Sequence, residues 1–480
     1  MKKTGILFPI SALPSVYGVG DFGQNAYQFI DKIAAAHLEI WQILPLNPLG
    51  YGHSPYQPLS SHAGDEIYLD IEAFIEAGLL YPDEVHIDNQ QSLYVDYAKV
   101  RKQKQAYYRL AFSRFHGDQQ YQEFVEKNKS WLYSYAIFRV FKSHHHERSW
   151  VEWPEEYKNY QHDQSFSLLP FTKDIDYQIF LQYFFFLQWQ QLRDYAHQKN
   201  IEIIGDMPIY VGLDSADVWQ NRECFLLEED GTPSFVAGVP PDYFSKFGQR
   251  WGNPIYNWEY LKQHHYAFWV ERMKASQQMY DRVRIDHFRG FDTYWKIPAS
   301  EPTAVIGEWV EGPSYDLFDT LYSSIDHLSI LAEDLGDLRD EVYQLRDYYH
   351  LKGMYVFQFH YAYDFDFSKV VVYSGTHDND TLVGWLNTLD EDEYKKLEEL
   401  LQDYSQKHMY QKILNYCLDL DAKEVIIPFW DLMDKDTSCR FNVPGKIGSP
   451  NWEYHLTDFQ EFDVYLEQFS HMIKESKRGD

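Results

Sequence analysis

Four acidic residues each stand directly behind a short, largely apolar run: Asp206 after Ile203-Ile204-Gly205, Asp286 after Val283-Arg284-Ile285, Glu333 after Ile330-Leu331-Ala332, and Asp378 after Gly375-Thr376-His377. If those runs are parallel strands of one barrel, residues at their carboxyl ends open onto a single mouth, and the four acids converge. One acid in such a place is commonly the N-cap of the next helix; four together point to chemistry. Two carboxyl groups about 5 Å apart can cleave a glycosidic bond with retention, one as nucleophile, the other as acid and then base. Asp286 and Glu333 are the natural pair. Arg284 lies two residues before Asp286 and so shares its face of an extended strand, where its charge is expected to keep Asp286 ionised. Glu333 follows only apolar residues, and desolvation is expected to raise its pKa toward that of a working acid. The adjacent Asp334 is expected to point elsewhere and cap the next helix. His377 and Asp378 are placed to reach ring hydroxyls, Asp378 binding more strongly as the sugar flattens toward an oxocarbenium ion.

The elements that must position these residues follow from apolar patterning. Eight candidate strands occur: residues 5–10, 40–44, 201–205, 282–285, 328–332, 354–358, 370–373 and 425–428. Several are almost continuously apolar, as strands buried on both faces are. Stretches of helical period alternate with them, among them 25–38, 176–197 and 257–280. Eight strands with intervening helices predict a (β/α)8 TIM barrel of class α/β, with an open doubly wound sheet as the structural alternative. The spacing predicts large, mostly helical insertions between strands 2 and 3 and between strands 3 and 4. Residues 1–480 then form a single catalytic barrel carrying a helical insertion at about 57–200 and a second, with a cleft-covering loop, at about 207–281. Within the first, 97–116 and 121–145 read as helices, and Trp150-Val151-Glu152-Trp153-Pro154 as a packed turn.

Two motifs are decoys. Gly18-Val19-Gly20-Asp21-Phe22-Gly23 matches a dinucleotide fingerprint, but a Ser11-to-Ser15 detour separates it from the first strand and no acid closes the second. A plain turn is the better reading. Adjacent side chains on a helix do not converge, so His144-His145-His146 reads as a solvated helix end rather than a metal site. The acidic run 390–393 lacks calcium-loop spacing and reads as a helix start.

A formal charge of −30 repels phosphate backbones and anionic headgroups, which argues against nucleic acid and membrane partners. The 14 Trp, 40 Tyr and 32 Phe suit the apolar faces of sugars, and equally an aromatic core. Three widely spaced cysteines, Cys224, Cys417 and Cys439, form neither a disulfide framework nor a metal pair. The first apolar run is short and interrupted by Pro9, unlike a signal peptide, and no stretch is apolar enough to span a bilayer. A cytoplasmic protein is expected.

The catalytic segments carry a family resemblance. Arg282-Val283-Arg284-Ile285-Asp286-His287-Phe288-Arg289-Gly290-Phe291, Ala332-Glu333-Asp334-Leu335-Gly336 and Gly375-Thr376-His377-Asp378-Asn379-Asp380 resemble those of the amylomaltases, also called 4-α-glucanotransferases or disproportionating enzymes, relatives of the α-amylase group. Tyr51-Gly52-His53-Ser54-Pro55-Tyr56-Gln57-Pro58 is similar to the family's early loop. Gly205-Asp206-Met207-Pro208-Ile209-Tyr210-Val211 resembles its third-strand motif, and the segments 240–245 and 249–254 resemble the loop arching over its cleft. The likeness runs from the first strand to Phe441-Asn442-Val443-Pro444-Gly445. It implies Asp286 as nucleophile, Glu333 as acid/base and Asp378 as transition-state stabiliser, with Arg284, His377, Asp206, Ser54, Tyr56 and Trp251 contacting sugar. It also implies transfer of α-1,4-glucan segments between maltooligosaccharides without cofactor or metal; an α-glucan hydrolase with the same residues and a non-catalytic glucan-binding barrel are the alternatives. His53, where the family usually has Asp or Asn, and His455, where Arg is usual, are departures near the rim.

Overall fold

The computed structural model describes residues 2–86, 92–241 and 245–478. Its centre is a parallel sheet of eight strands: β1 (Lys3–Leu7), β2 (Ile40–Gln42), β3 (Glu202–Pro208), β4 (Arg282–Asp286), β5 (Ile330–Ala332), β6 (Gly353–Val356), β7 (Val370–Tyr373) and β8 (Glu424–Pro428). They run in the order β6-β7-β8-β1-β2-β3-β4-β5. The Ala332 N–H donates to the Lys352 carbonyl at 2.9 Å, and Leu331 bridges Lys352 in parallel, so the two ends meet and the sheet closes. A closed sheet excludes the open doubly wound alternative. All eight strands fall on the expected runs, some shorter: β1 stops at Leu7 because Pro9 lacks an N–H and leads into a 3-10 turn at Ile10–Ala12.

The bore is packed with layers of inward side chains, and here they are polar. At the amino ends, Arg282 reaches Glu202 at 2.6 Å and Glu424 at 2.7 Å. Above them the Tyr373 hydroxyl donates to Gln42 at 2.7 Å. Because side chains alternate along a strand, Arg284 and Asp206 follow on the same faces as Arg282 and Glu202, paired by the β3/β4 register Asp206↔Arg284. The strands' other faces meet helices. Gln24–Ala35 turns Ala26, Phe29, Ile30 and Ile33 inward, and Phe29 packs on Phe8 at 4.6 Å between ring centres. Burying each such ring contributes about 2–3 kcal/mol. Trp41, Trp150, Trp189, Trp219, Trp269 and Trp430 are all fully buried, so much of the aromatic content is core.

Between β2 and β3, helices Tyr97–Arg114, Gln119–His144 and Thr172–Gln198 cover one side of the barrel. Arg101 ties them to the loop after β2 through a forked pair with buried Asp65, at 2.8 and 2.5 Å. Between β3 and β4, helices Trp258–Gln263 and Ala267–Met279 share the span with strands Phe235–Val239 and Gln249–Pro254. Those strands join Thr293–Pro298 and Glu308–Glu311 in a four-stranded antiparallel sheet. Helical period alone did not anticipate this sheet; half of it comes from the loop after β4, in two short strands of which Glu308–Glu311 is largely exposed and without strong patterning. It carries Trp251 beside the mouth. Asp242, Tyr243 and Phe244, part of the loop expected to arch over the cleft, lie outside the described residues.

Both decoys resolve as structure. A side chain on Gly20 would meet the Ile10 carbonyl at 1.9 Å, so this glycine serves close packing, not a diphosphate. His144 ends its helix. Glu391–Leu400 starts with an Asp390/Glu393 capping box, as a helix start should.

Candidate active site

At the carboxyl ends of β3 and β4, Arg284 is the hub. Its Nη1 contacts both Asp206 oxygens at 2.9 and 2.7 Å, and its Nη2 lies 3.1 Å from Asp286 Oδ1. The Tyr56 hydroxyl donates to Asp206 at 2.8 Å. The Asp206 side chain has no exposed surface, while that of Asp286 keeps 28% open to the mouth. Asp206 is therefore a buried anchor and Asp286 the reachable carboxylate.

Glu333 projects from the end of the next strand. Its Oε2 accepts the His287 N–H at 2.6 Å and its Oε1 the Leu335 N–H at 3.2 Å. Glu333 N–H in turn donates to Ile285 O, and Phe288 N–H to Glu333 O, both at 3.1 Å. These bonds lock the acid beside the residue that follows Asp286. His287 takes a left-handed backbone, φ 55°, to aim its N–H this way.

Across the mouth, the segment after β7 presents His377 and Asp378. Asn442 donates to Asp378 Oδ1 at 2.6 Å and Arg440 to its backbone carbonyl at 2.7 Å. The Tyr56 ring stacks on His377, centres 5.2 Å apart at 16°. His377 is 2% exposed, and its Nε2 has no hydrogen-bond partner among the described residues, nor has His287 Nε2. Trp251 stands edge-on to His287 at 4.8 Å. Asp206, Tyr56, Arg284, Asp286, Glu333, His377, Asp378 and Trp251 thus border one mouth. Ser54 bonds locally, its hydroxyl accepting the Tyr56 N–H at 3.2 Å, and so shapes the turn that presents Tyr56. Of the rim departures, His53 stacks on Tyr97 at 4.8 Å and His455 is buried.

The electrostatics differ from the simple expectation for Asp286. Burial pushes its carboxyl well above the usual range; Arg284 opposes this, while Glu333, Asp206 and Asp378 add to it. The arginine's charge is shared with Asp206, so one cation faces a cluster of acids. Burial also raises Glu333, against Arg284 and the His287 N–H. Both carboxyls are thus pushed toward holding a proton. Burial lowers His377 and takes His287 down to about 3, so both rings are neutral.

Asp334 points away, as expected, but caps no helix. It is buried, accepting Arg346 at 2.6 Å and the Met354 N–H at 2.7 Å. A side chain on Gly353 would overlap it at 2.1 Å, so glycine is required there.

Asp431, which the sequence reading passed over, clamps the His377-Asp378 segment at both ends. Its Oδ2 accepts the Ser374 hydroxyl at 2.6 Å and its Oδ1 the Leu382 N–H at 2.7 Å. Burial raises it from 3.8 to about 7. A raised carboxyl favours the protonated fold, so its contribution is lost as pH rises from about 4 to about 7, by at most about 4 kcal/mol. Asp431→Asn keeps an acceptor for Leu382 and a donor for Ser374. It should flatten that part of the pH–stability curve in urea unfolding; an unchanged slope would contradict this account.

A family model described as 4-alpha-glucanotransferase, glycoside hydrolase family 77, matches residues 8–460. The chain belongs to the 4-alpha-glucanotransferase family. Relatives bearing the family's name include one from Streptococcus pneumoniae, 38% identical over 96% of this chain and 94% of its own length. Another, from Thermus thermophilus, is 37% identical over 95% of each. Among solved structures, an amylomaltase from Streptococcus agalactiae in complex with acarbose superposes with a TM-score of 0.93 at 31% identity, covering all of both chains. An amylomaltase from Corynebacterium glutamicum shares the fold at 17% identity and a TM-score of 0.80, over all of this chain and 75% of its own. Within this family fold, the residues that sequence reasoning left without a role are His287, Arg440, Asn442 and Asp431. The first and third lie inside quoted motifs, yet only their contacts with Glu333 and Asp378 give them one.

Proposed function

We propose that this chain transfers α-1,4-glucan segments between maltooligosaccharides by retaining double displacement. The observation that carries the reading is the grip of the His287 N–H on Glu333, which sets the acid beside Asp286 over the Arg284 hub. Asp286 attacks the anomeric carbon while Glu333 protonates the departing oxygen. The C4 hydroxyl of an incoming glucan, deprotonated by Glu333, then displaces the enzyme. Asp378, held by Asn442 and Arg440, takes up ring hydroxyls as charge develops; Arg284, Asp206, Tyr56 and His377 shape the sugar's seat, with Ser54 and Trp251 at its rim. Transfer outruns hydrolysis when an aligned acceptor occupies the site in place of water, and the Trp251–His287 wall supplies a surface for one. The relative's acarbose complex supports a glucan substrate.

The whole chain serves as one catalytic barrel, with 57–200 and 207–281 as its insertions, and the three free cysteines favour a cytoplasmic site of action. Among the described residues no helix is long and apolar enough to cross a membrane.

With maltotriose the expected products are free glucose and a ladder of longer oligomers. Reducing ends accumulating without longer products would favour the hydrolase reading, and binding without products the non-catalytic one. Arg284→Lys should cut the transfer rate by about 100-fold or more, because an ammonium cannot fork between Asp206 and Asp286. Near wild-type turnover in that variant would remove Arg284 from the mechanism.

A further inference from the structure

Outside the cleft, helices Met409–Asp419 and Gln460–Glu475 and the segment after β8 border a cavity of about 400 Å³ that opens broadly to solvent, most of its lining side chains being exposed. Its walls bring together Tyr410, Tyr465, Gln411, Gln468, Asp434 and Glu461. Lys435 pairs with Glu461 at 2.6 Å, and the two glutamine amides meet at only 3.4 Å. Burial, and next the Asp434 charge, push both phenols up.

The cavity faces the same way as the catalytic mouth. Beyond the end of the second helix, Arg478 bonds the carbonyls of Leu418, Leu420 and Ala422, just before β8. Both helices therefore end at the amino side of the barrel and begin, where the cavity lies, at the carboxyl side. From Asp434 the chain runs on to Arg440 and Asn442, which hold Asp378.

The chemistry of the lining selects the ligand. Asp434 and Glu461 against Lys435 and His408 leave no excess positive charge for an anion. Among the described residues no group of three or more His, Cys, Asp or Glu could hold a metal. The partly exposed Tyr465 ring for an apolar face, with amides and carboxylates as donors and acceptors around it, suits a neutral polyhydroxylated ring.

We propose that this cavity is a second glucan-binding site, holding a stretch of the same long α-glucan whose reacting end lies in the cleft. The proposal rests on the glucanotransferase reading and extends it to chain-length preference.

The test is Tyr465→Ala with Gln468→Ala, and separately the milder Gln411→Ala with Gln468→Ala, each checked for an unchanged melting temperature. The KM for amylose should rise about five-fold, the loss of one or two hydrogen bonds, while maltotriose kinetics stay at wild type. An unchanged amylose KM, or an equal change for both substrates, overturns the proposal. Calorimetric titration of Asp286→Asn with maltoheptaose should show two sites, and one once the cavity residues are replaced; a single site in both overturns it as well. Failure of the glucanotransferase reading looks different: the wild type itself would then make no oligomer ladder.

Discussion

Asp286→Asn is expected to lower kcat for maltotriose disproportionation by about 10⁴-fold or more, the scale of losing a covalent nucleophile, while the protein stays folded and still binds maltotriose. The substitution is nearly isosteric, and Arg284 keeps its two contacts with Asp206. It also removes one acid from a cluster in which burial penalises the charged form, so melting temperature should hold or rise. Steady-state kinetics, calorimetric binding and a thermal scan check the three parts together. Loss of activity accompanied by unfolding would reassign Asp286 to the scaffold, and retained activity would remove it from the chemistry.

Glu333→Gln separates the two halves of the reaction. With maltotriose the departing oxygen needs a proton, so kcat should fall by about 10³-fold or more. With α-glucosyl fluoride the leaving group needs none. The first step should then survive, and azide, which needs no general base, should restore turnover. The pH profile adds a sign. Glu333, raised by burial, must be protonated for the first step, so wild-type activity falls as pH rises through its elevated pKa. That limb should vanish in the variant. Equal loss with both donors and no azide rescue would assign Glu333 a structural role.

The barrel was legible because its strands are short apolar runs, most of them leading into polar or proline-bearing loops, a local pattern. The candidate acids were legible for the same reason: Asp286 ends a strand, Glu333 immediately follows one, Asp206 lies near the carboxyl end of a third, and Asp378 soon after a fourth. The antiparallel sheet escaped because Glu308–Glu311 is largely exposed and carries no strong alternation. Asp431 and Asn442 escaped because their meaning is a contact 57 or more residues away along the chain, to Ser374 and Asp378. Asp334 was misjudged because its partner, Arg346, appears only when the following helix folds back over it. The upward push on the Asp286 carboxyl was not legible, because sequence shows that Arg284 is adjacent but not that Asp206 shares it.

Peptide mapping of Glu333→Gln quenched during reaction with α-glucosyl fluoride tests the double displacement most directly. The account predicts a glucosyl unit on the peptide containing Asp286, lost on adding azide and retained with maltotriose, whose hydroxyl needs the missing base. Label on any other carboxylate, or turnover of the fluoride with no label on that peptide, would contradict it.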